Sequence, residues 1–234
     1  MEEEGPSIRV LTAAGDLEGN LSLPEDPRGV VLFAHGSGSS RHSPRNRYVA
    51  QVLNEAGLAT LLIDLLTAKE EEADARTGRF RFDIGLLAER LEGATHWLLQ
   101  HPGTGHLPVG YFGASTGAGA ALVAAAKLPD VVGAIVSRGG RPDLAAARLA
   151  DVKAPTLLIV GGEDAPVIDL NRQAMDQMRA PVELKIVPGA THLFEEPGTL
   201  ETVATLASDF FRGHLSPVRA RGAEWYDADD RTEL

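Results

Sequence analysis

Apolar positions along this chain fall into two kinds of run. The first kind is short and continuous. Residues 29–34 (Gly-Val-Val-Leu-Phe-Ala) are apolar at every position, and 59–63, 109–112, 131–136, 156–160 and 182–187 also read as strands. An opening pair of strands is predicted over 8–11 and 17–23. The second kind is longer and periodic. Val49, Val52, Leu53 and Ala56 share one face of a helix predicted over 48–56, with Gly57 as its stop. Ile84, Leu87, Leu91, Ala94 and Leu98 do the same over 83–99. Further helices are predicted over 117–127, 168–178 and 200–211, a short one around 144–149, and a polar excursion through 69–72. Strands buried on both faces, alternating with helices, imply an α/β fold: a mostly parallel sheet of about eight strands covered on both sides. One domain is expected over 1–214, followed by a polar tail, 215–234, in which Trp225 and Tyr226 hint at docking.

Composition narrows the function classes. The 234 residues are 44% apolar and 24% charged, an ordinary globular balance. A net charge of -11 argues against nucleic acid or an anionic membrane as partner. There are no cysteines, which excludes disulfides, thiolate metal sites and a cysteine nucleophile. No stretch approaches the roughly 18 apolar residues of a membrane span, and the acidic amino terminus is wrong for a signal peptide. Cytoplasmic residence is therefore the expectation.

In parallel sheets, sites form at the carboxyl ends of strands. The strand at 109–112 runs into Gly113-Ala114-Ser115-Thr116-Gly117 and then directly into a helix. This G-x-S-x-G turn is so sharp that Ser115 must take a strained backbone conformation, with its hydroxyl raised above the sheet. The alternative is a glycine-rich turn with an incidental serine. A serine hydroxyl needs a base, and of seven histidines only His192 lies in the loop after the last strand, on the same edge as Ser115. His35 reads as structural. The imidazole needs an acid, and Asp164 follows the preceding strand in Gly161-Gly162-Glu163-Asp164. Asp143 is the second candidate, and a local turn role is the alternative for Asp164. For the oxyanion, the backbone N–H of Thr116 and that of Ser37, in His35-Gly36-Ser37-Gly38, are the expected donors.

These four segments resemble the dienelactone hydrolase-like branch of the α/β-hydrolases over about residues 8–214. The resemblance implies the α/β-hydrolase fold, a Ser115–His192–Asp164 triad and no cofactor or metal. Dienelactone hydrolases proper use a cysteine nucleophile, so it does not imply their substrate. The stretch 137–143 also resembles hydrolase modules sometimes joined to phosphoribosyltransferases, a domain not expected in this chain.

The loops flanking Ser115 carry Arg41, His42, Arg45 and Arg47 on one side and Arg138 and Arg141 on the other. On an acidic chain this clustering suggests that Arg41 and Arg138 bind an anionic substrate group. The competing expectation is that they brace loops against Asp143, Asp83 or Asp64. Only about 19 residues separate the sixth strand from the seventh, too few for a large lid. An open cleft for small or medium soluble esters follows.

Overall fold

In the computed structural model, which describes residues 7–13 and 15–215, every apolar run becomes a strand. β1 (Ser7–Thr12) and β2 (Gly15–Ser22) pair antiparallel at one edge. β3 (Val30–Ala34), β4 (Ala59–Ile63), β5 (Val109–Ala114), β6 (Val132–Arg138), β7 (Thr156–Gly161) and β8 (Val182–Val187) run parallel to one another. The eight strands form one sheet in the order β1-β2-β4-β3-β5-β6-β7-β8, which sets β5 between β3 and β6. The chain has the α/β-hydrolase fold, with no large lid among the described residues.

Strand alternation assigns side chains to two cores. Leu32 and Tyr111 face α3 (Ile84–Gln100) and α4 (Thr116–Lys127), with α5 (Ala165–Met175) on the same side. Val31, Phe33 and Phe112 face α1 (Pro44–Glu55) and α6 (Thr199–His214). The Phe33 and Phe112 rings lie 4.8 Å apart, tilted by 32°. Burying each such side chain contributes about 1.5–3 kcal/mol. The hydroxyl of the fully buried Tyr111 is satisfied by Thr95 at 2.6 Å, and burial raises its pKa, keeping it neutral. Among the described residues no helix is long and apolar enough to cross a membrane.

Element ends depart from the sequence reading where capping chemistry decides them. α1 begins at Pro44 rather than at 48. Ser43 Oγ accepts the Asn46 N–H, and a proline in the first turn loses no hydrogen bond. The excursion through 69–72 is helix α2 (Ala68–Thr77). It is started by a capping box between Thr67 and Glu70 and stopped by Gly78 in the left-handed region. The short helix expected around 144–149 is a 3-10 segment, Pro142–Asp151, kinked at Ala146. Leu215, assigned to the polar tail, is instead buried beneath the sheet with Phe211. The rest of that tail, with Trp225 and Tyr226, lies outside the described residues.

Backbone packs closely against backbone where β5 meets α4 and α4 meets the end of β3. A Cβ on Gly113 would sit 2.4 Å from Ala118 Cα, and one on Gly117 would sit 2.3 Å from the Ala34 carbonyl and 2.4 Å from that of His35. The obstacles are backbone, so the elbow and the β3 terminus must separate to admit a methyl group. Gly117→Ala is expected to cost about 1–3 kcal/mol in urea unfolding. An unfolding midpoint unchanged from wild type would contradict this packing.

Candidate active site

Ser115 sits between β5 and α4 with φ 49° and ψ -121°, a region that side chains other than glycine rarely enter. Such strain costs about 1–3 kcal/mol and is held by its surroundings. The Ser115 N–H donates to the Arg138 carbonyl at 3.2 Å, and the Ser115 carbonyl accepts from Ala118 and Arg141, each at 3.1 Å. Serine at this helix position ordinarily caps the helix with its hydroxyl. Here Oγ makes no cap bond and lies 3.3 Å from His192 Nε2.

The other face of the imidazole meets a carboxylate. His192 Nδ1 lies 2.6 Å from Asp164 Oδ2. With the Nδ1 proton donated to Asp164, Nε2 is left as an acceptor toward Ser115. Asp164 begins α5 yet makes no side-chain cap bond, so its carboxylate is not spent on local backbone amides. Asp143, the other candidate acid, is held in a two-bond pair with Arg141, both at 2.8 Å. The His192 loop is fastened from below by Phe194, which is 1% exposed. Thr191 also bonds Glu196 through its N–H at 3.1 Å and its hydroxyl at 2.6 Å. Those two bonds hold the Glu196 carboxyl below its ordinary range.

His35 is structural, as its position after β3 suggests. Nε2 accepts the Leu65 N–H at 3.1 Å, so the proton sits on Nδ1, which donates to the Gly36 carbonyl at 2.9 Å. Burial lowers its pKa, against smaller opposing effects from the Gly36 bond and from Asp64 and Glu71. The ring thus ties the loop carrying Ser37 to the end of β4.

The expected oxyanion donors lie side by side, in different states. Thr116 opens α4, so its N–H has no helical acceptor. The Ser37 N–H is already engaged, donating to Thr116 Oγ1 at 2.8 Å. An oxyanion that used the Ser37 N–H would have to displace Thr116 Oγ1 from it. This use of the threonine hydroxyl was not legible beforehand, because it links residues 79 apart in sequence. Ser37 and Thr116 line a pocket with Leu65, Leu66, Leu87 and Arg81.

The two arginines expected to bind substrate part company. Arg41 is a brace: its guanidinium pairs with Asp64, its Nε donates to Asn20 Oδ1 at 3.1 Å, and its N–H donates to Asp64 Oδ1 at 2.7 Å. These contacts match the competing expectation, that Arg41 braces its loop against Asp64, rather than the substrate-binding one. Arg138 is buried at the end of β6 and has no aspartate partner among the described residues. Nor do those residues hold a group of three or more His, Asp or Glu placed to bind a metal ion.

The family model of the dienelactone hydrolases matches residues 17–214. The chain belongs to the dienelactone hydrolase family. It is 63% identical, with a TM-score of 0.89, to a dienelactone hydrolase from Anabaena variabilis, over 91% of this chain and 98% of that one. It is also 61% identical over 208 residues to two Mycobacterium tuberculosis proteins that carry the provisional name phosphoribosyl transferase. That match takes in 89% of this chain and 46% of theirs, so the chain spans about half the length of the curated relatives it matches. Est1E from Butyrivibrio proteoclasticus shares the fold, with a TM-score of 0.73 at 15% identity over 88% of this chain and 98% of that one.

Two outcomes follow from this geometry. A histidine whose folded pKa is depressed favours the native state when neutral, so its contribution is intact above the unfolded value of 6.5 and is lost as pH falls below it. In nitrogen-resolved NMR, His35 is expected to stay neutral, with its proton on Nδ1, to lower pH than an ordinary histidine; a ring that charges at or above the ordinary value would contradict the assignment. Arg41→Ala is expected to lower stability by about 1–2 kcal/mol while leaving KM for esters within twofold. A large rise in KM with unchanged stability would restore Arg41 to the substrate site.

Proposed function

We propose that the protein is a serine hydrolase of small or medium soluble carboxylic esters, working through an acyl-enzyme. The observation that carries this reading is the continuous line from Ser115 Oγ to His192 Nε2 at 3.3 Å and from His192 Nδ1 to Asp164 Oδ2 at 2.6 Å. Its location at a strained strand–helix elbow adds support.

In the first half-reaction Ser115 Oγ attacks the ester carbonyl carbon while Nε2 takes the hydroxyl proton. The negative charge passes to the carbonyl oxygen, which accepts the Thr116 N–H and draws the Ser37 N–H away from Thr116 Oγ1. Collapse breaks the bond to the alkoxy oxygen, which leaves as an alcohol with the proton from Nε2. Water, deprotonated by the same nitrogen, then attacks the acyl carbon; the bond to Ser115 Oγ breaks, Oγ takes the proton from Nε2, and the acid is released. Asp164 holds the imidazole in the tautomer that both halves require and steadies it when charged.

The name borne by the two longer relatives does not alter this reading, since this chain corresponds to less than half of each. The resemblance to Anabaena dienelactone hydrolase extends over nearly the whole of both chains. An enol-lactone is itself an internal ester, open to the same two steps.

Ser115→Ala is expected to lower kcat on a nitrophenyl ester by about four to six orders of magnitude with the fold intact by circular dichroism. His192→Ala should match that loss, because the two residues act as one unit, and Asp164→Asn should lose less. Retention of activity within tenfold in Ser115→Ala would refute the proposal.

A further inference from the structure

Several arginines near the carboxyl edge of the sheet have acidic partners: Arg81 has Asp74, Arg90 has Glu70 at 2.6 Å, and Arg141 has Asp143 at 2.8 Å. Arg138 does not. It leaves the carboxyl end of β6 on the α1 side of the sheet and is only 7% exposed. Nη2 reaches Asn46 Oδ1 at a long 3.4 Å, whereas Nε and Nη1 are enclosed without any acceptor among the described residues. The neighbouring charge has the same sign. Arg45 also has an enclosed Nε without an acceptor, and its Nη1 bonds Glu195 Oε1 at 3.0 Å. Burial first, and Arg45 second, push Arg138 down to about 10, which leaves it charged at neutral pH.

A buried guanidinium without a counter-charge is costly, because water is removed and nothing replaces it. The cluster also adjoins the nucleophile from two directions. The Arg138 carbonyl accepts the Ser115 N–H, and Glu195, which holds Arg45, lies three residues beyond His192.

We propose that Arg138, with Arg45 and Asn46, forms an anion subsite of the Ser115 cleft, taking a compact oxyanion carried by the ester substrate, a carboxylate or a phosphate. This rests on the ester-hydrolase reading and supplies what that reading lacks, the substrate class. The Glu195 side chain is 62% exposed, and it is the part that exchanges. The incoming oxyanion replaces the Glu195 carboxylate on Arg45 and meets the unpaired N–H groups of Arg138. A charge held on guanidinium groups fixes the ester bond over Ser115 without taking part in the chemistry.

The test uses the full chain and matched nitrophenyl esters: a neutral butyrate, a hemisuccinate and a phosphate-bearing acyl ester. Wild type is expected to favour at least one anionic ester by kcat/KM, the preferred one distinguishing carboxylate from phosphate, and the preference should shrink with added salt. Arg138→Met is expected to lower the anionic-to-neutral ratio tenfold to a hundredfold, mainly through KM, with Arg45→Gln losing less. A wild-type ratio near one, or equal losses on all three esters in Arg138→Met, would overturn the subsite. If Arg138→Met does not fold, Arg45→Gln alone decides by the same ratio. If wild type turns over none of the esters, the hydrolase reading fails by itself. The subsite is then judged by thermal shift: succinate or inorganic phosphate must stabilise wild type more than Arg45→Gln, and equal shifts would dismiss it.

Discussion

The turn from β5 into α4 must reverse the chain direction within a single residue. That requirement forces Ser115 to a positive φ and excludes side chains at Gly113 and Gly117. It also orders the surroundings. The end of β3 is pressed against Gly117, so the loop from His35 to Gly38 is carried to within hydrogen-bond distance of Thr116. The end of β6 is tied to the Ser115 N–H, so Arg138 and the Gly139 turn are brought beside the His192 loop. Strain at one residue is thus held by three strands, and the hydroxyl is presented in one place because its neighbours cannot relax.

Around that point the charges divide into those that hold loops and those that face the cleft. Arg41 with Asp64, Arg81 with Asp74 and Arg141 with Asp143 stitch the β3, β4 and β6 loops, all at the carboxyl edge of the sheet. The carboxyl of Asp74 is held below its usual range chiefly by the N–H groups of Phe80 and Arg81 and the Arg81 side chain, which outweigh its burial. Electrostatic bracing of this kind frees His192 and Asp164 to pair with each other. It also makes the unpaired Arg138 conspicuous, since the same loops contain carboxylates enough for their other arginines.

Much of this was legible in the sequence because the strands are buried on both faces and read as unbroken apolar runs. β4 and β8 coincide with the runs at 59–63 and 182–187. The positions of Ser115, Asp164 and His192 followed from chain order along a parallel sheet, where consecutive strand ends share one edge. What was missed depended on other physics. The start of α1 lay in the Ser43–Pro44 cap, before any apolar periodicity, and α2 is too polar for periodicity to reveal, although its Thr67–Glu70 box was present in the sequence. Leu215 looked like the start of a tail because nothing in one chain shows that Gly29, Gly110 and Gly133 leave room for it. Whether an arginine braces or faces a ligand is a matter of partners distant in sequence. Arg41 and Arg138, both read as belonging to the segments that flank Ser115, could not be separated until Asp64 and Asn46 were placed.

The account stands on a Ser115 hydroxyl made nucleophilic by His192, and a covalent trap reads that directly. Wild-type protein treated with an alkyl fluorophosphonate at neutral pH, then analysed by intact mass and peptide mapping, is expected to gain one phosphonyl group, located on Ser115. The adduct should be lost in His192→Ala, in which the serine remains but its base does not. Absence of labelling in the wild type, labelling at another serine, or equal labelling of Ser115 without His192 would contradict the account.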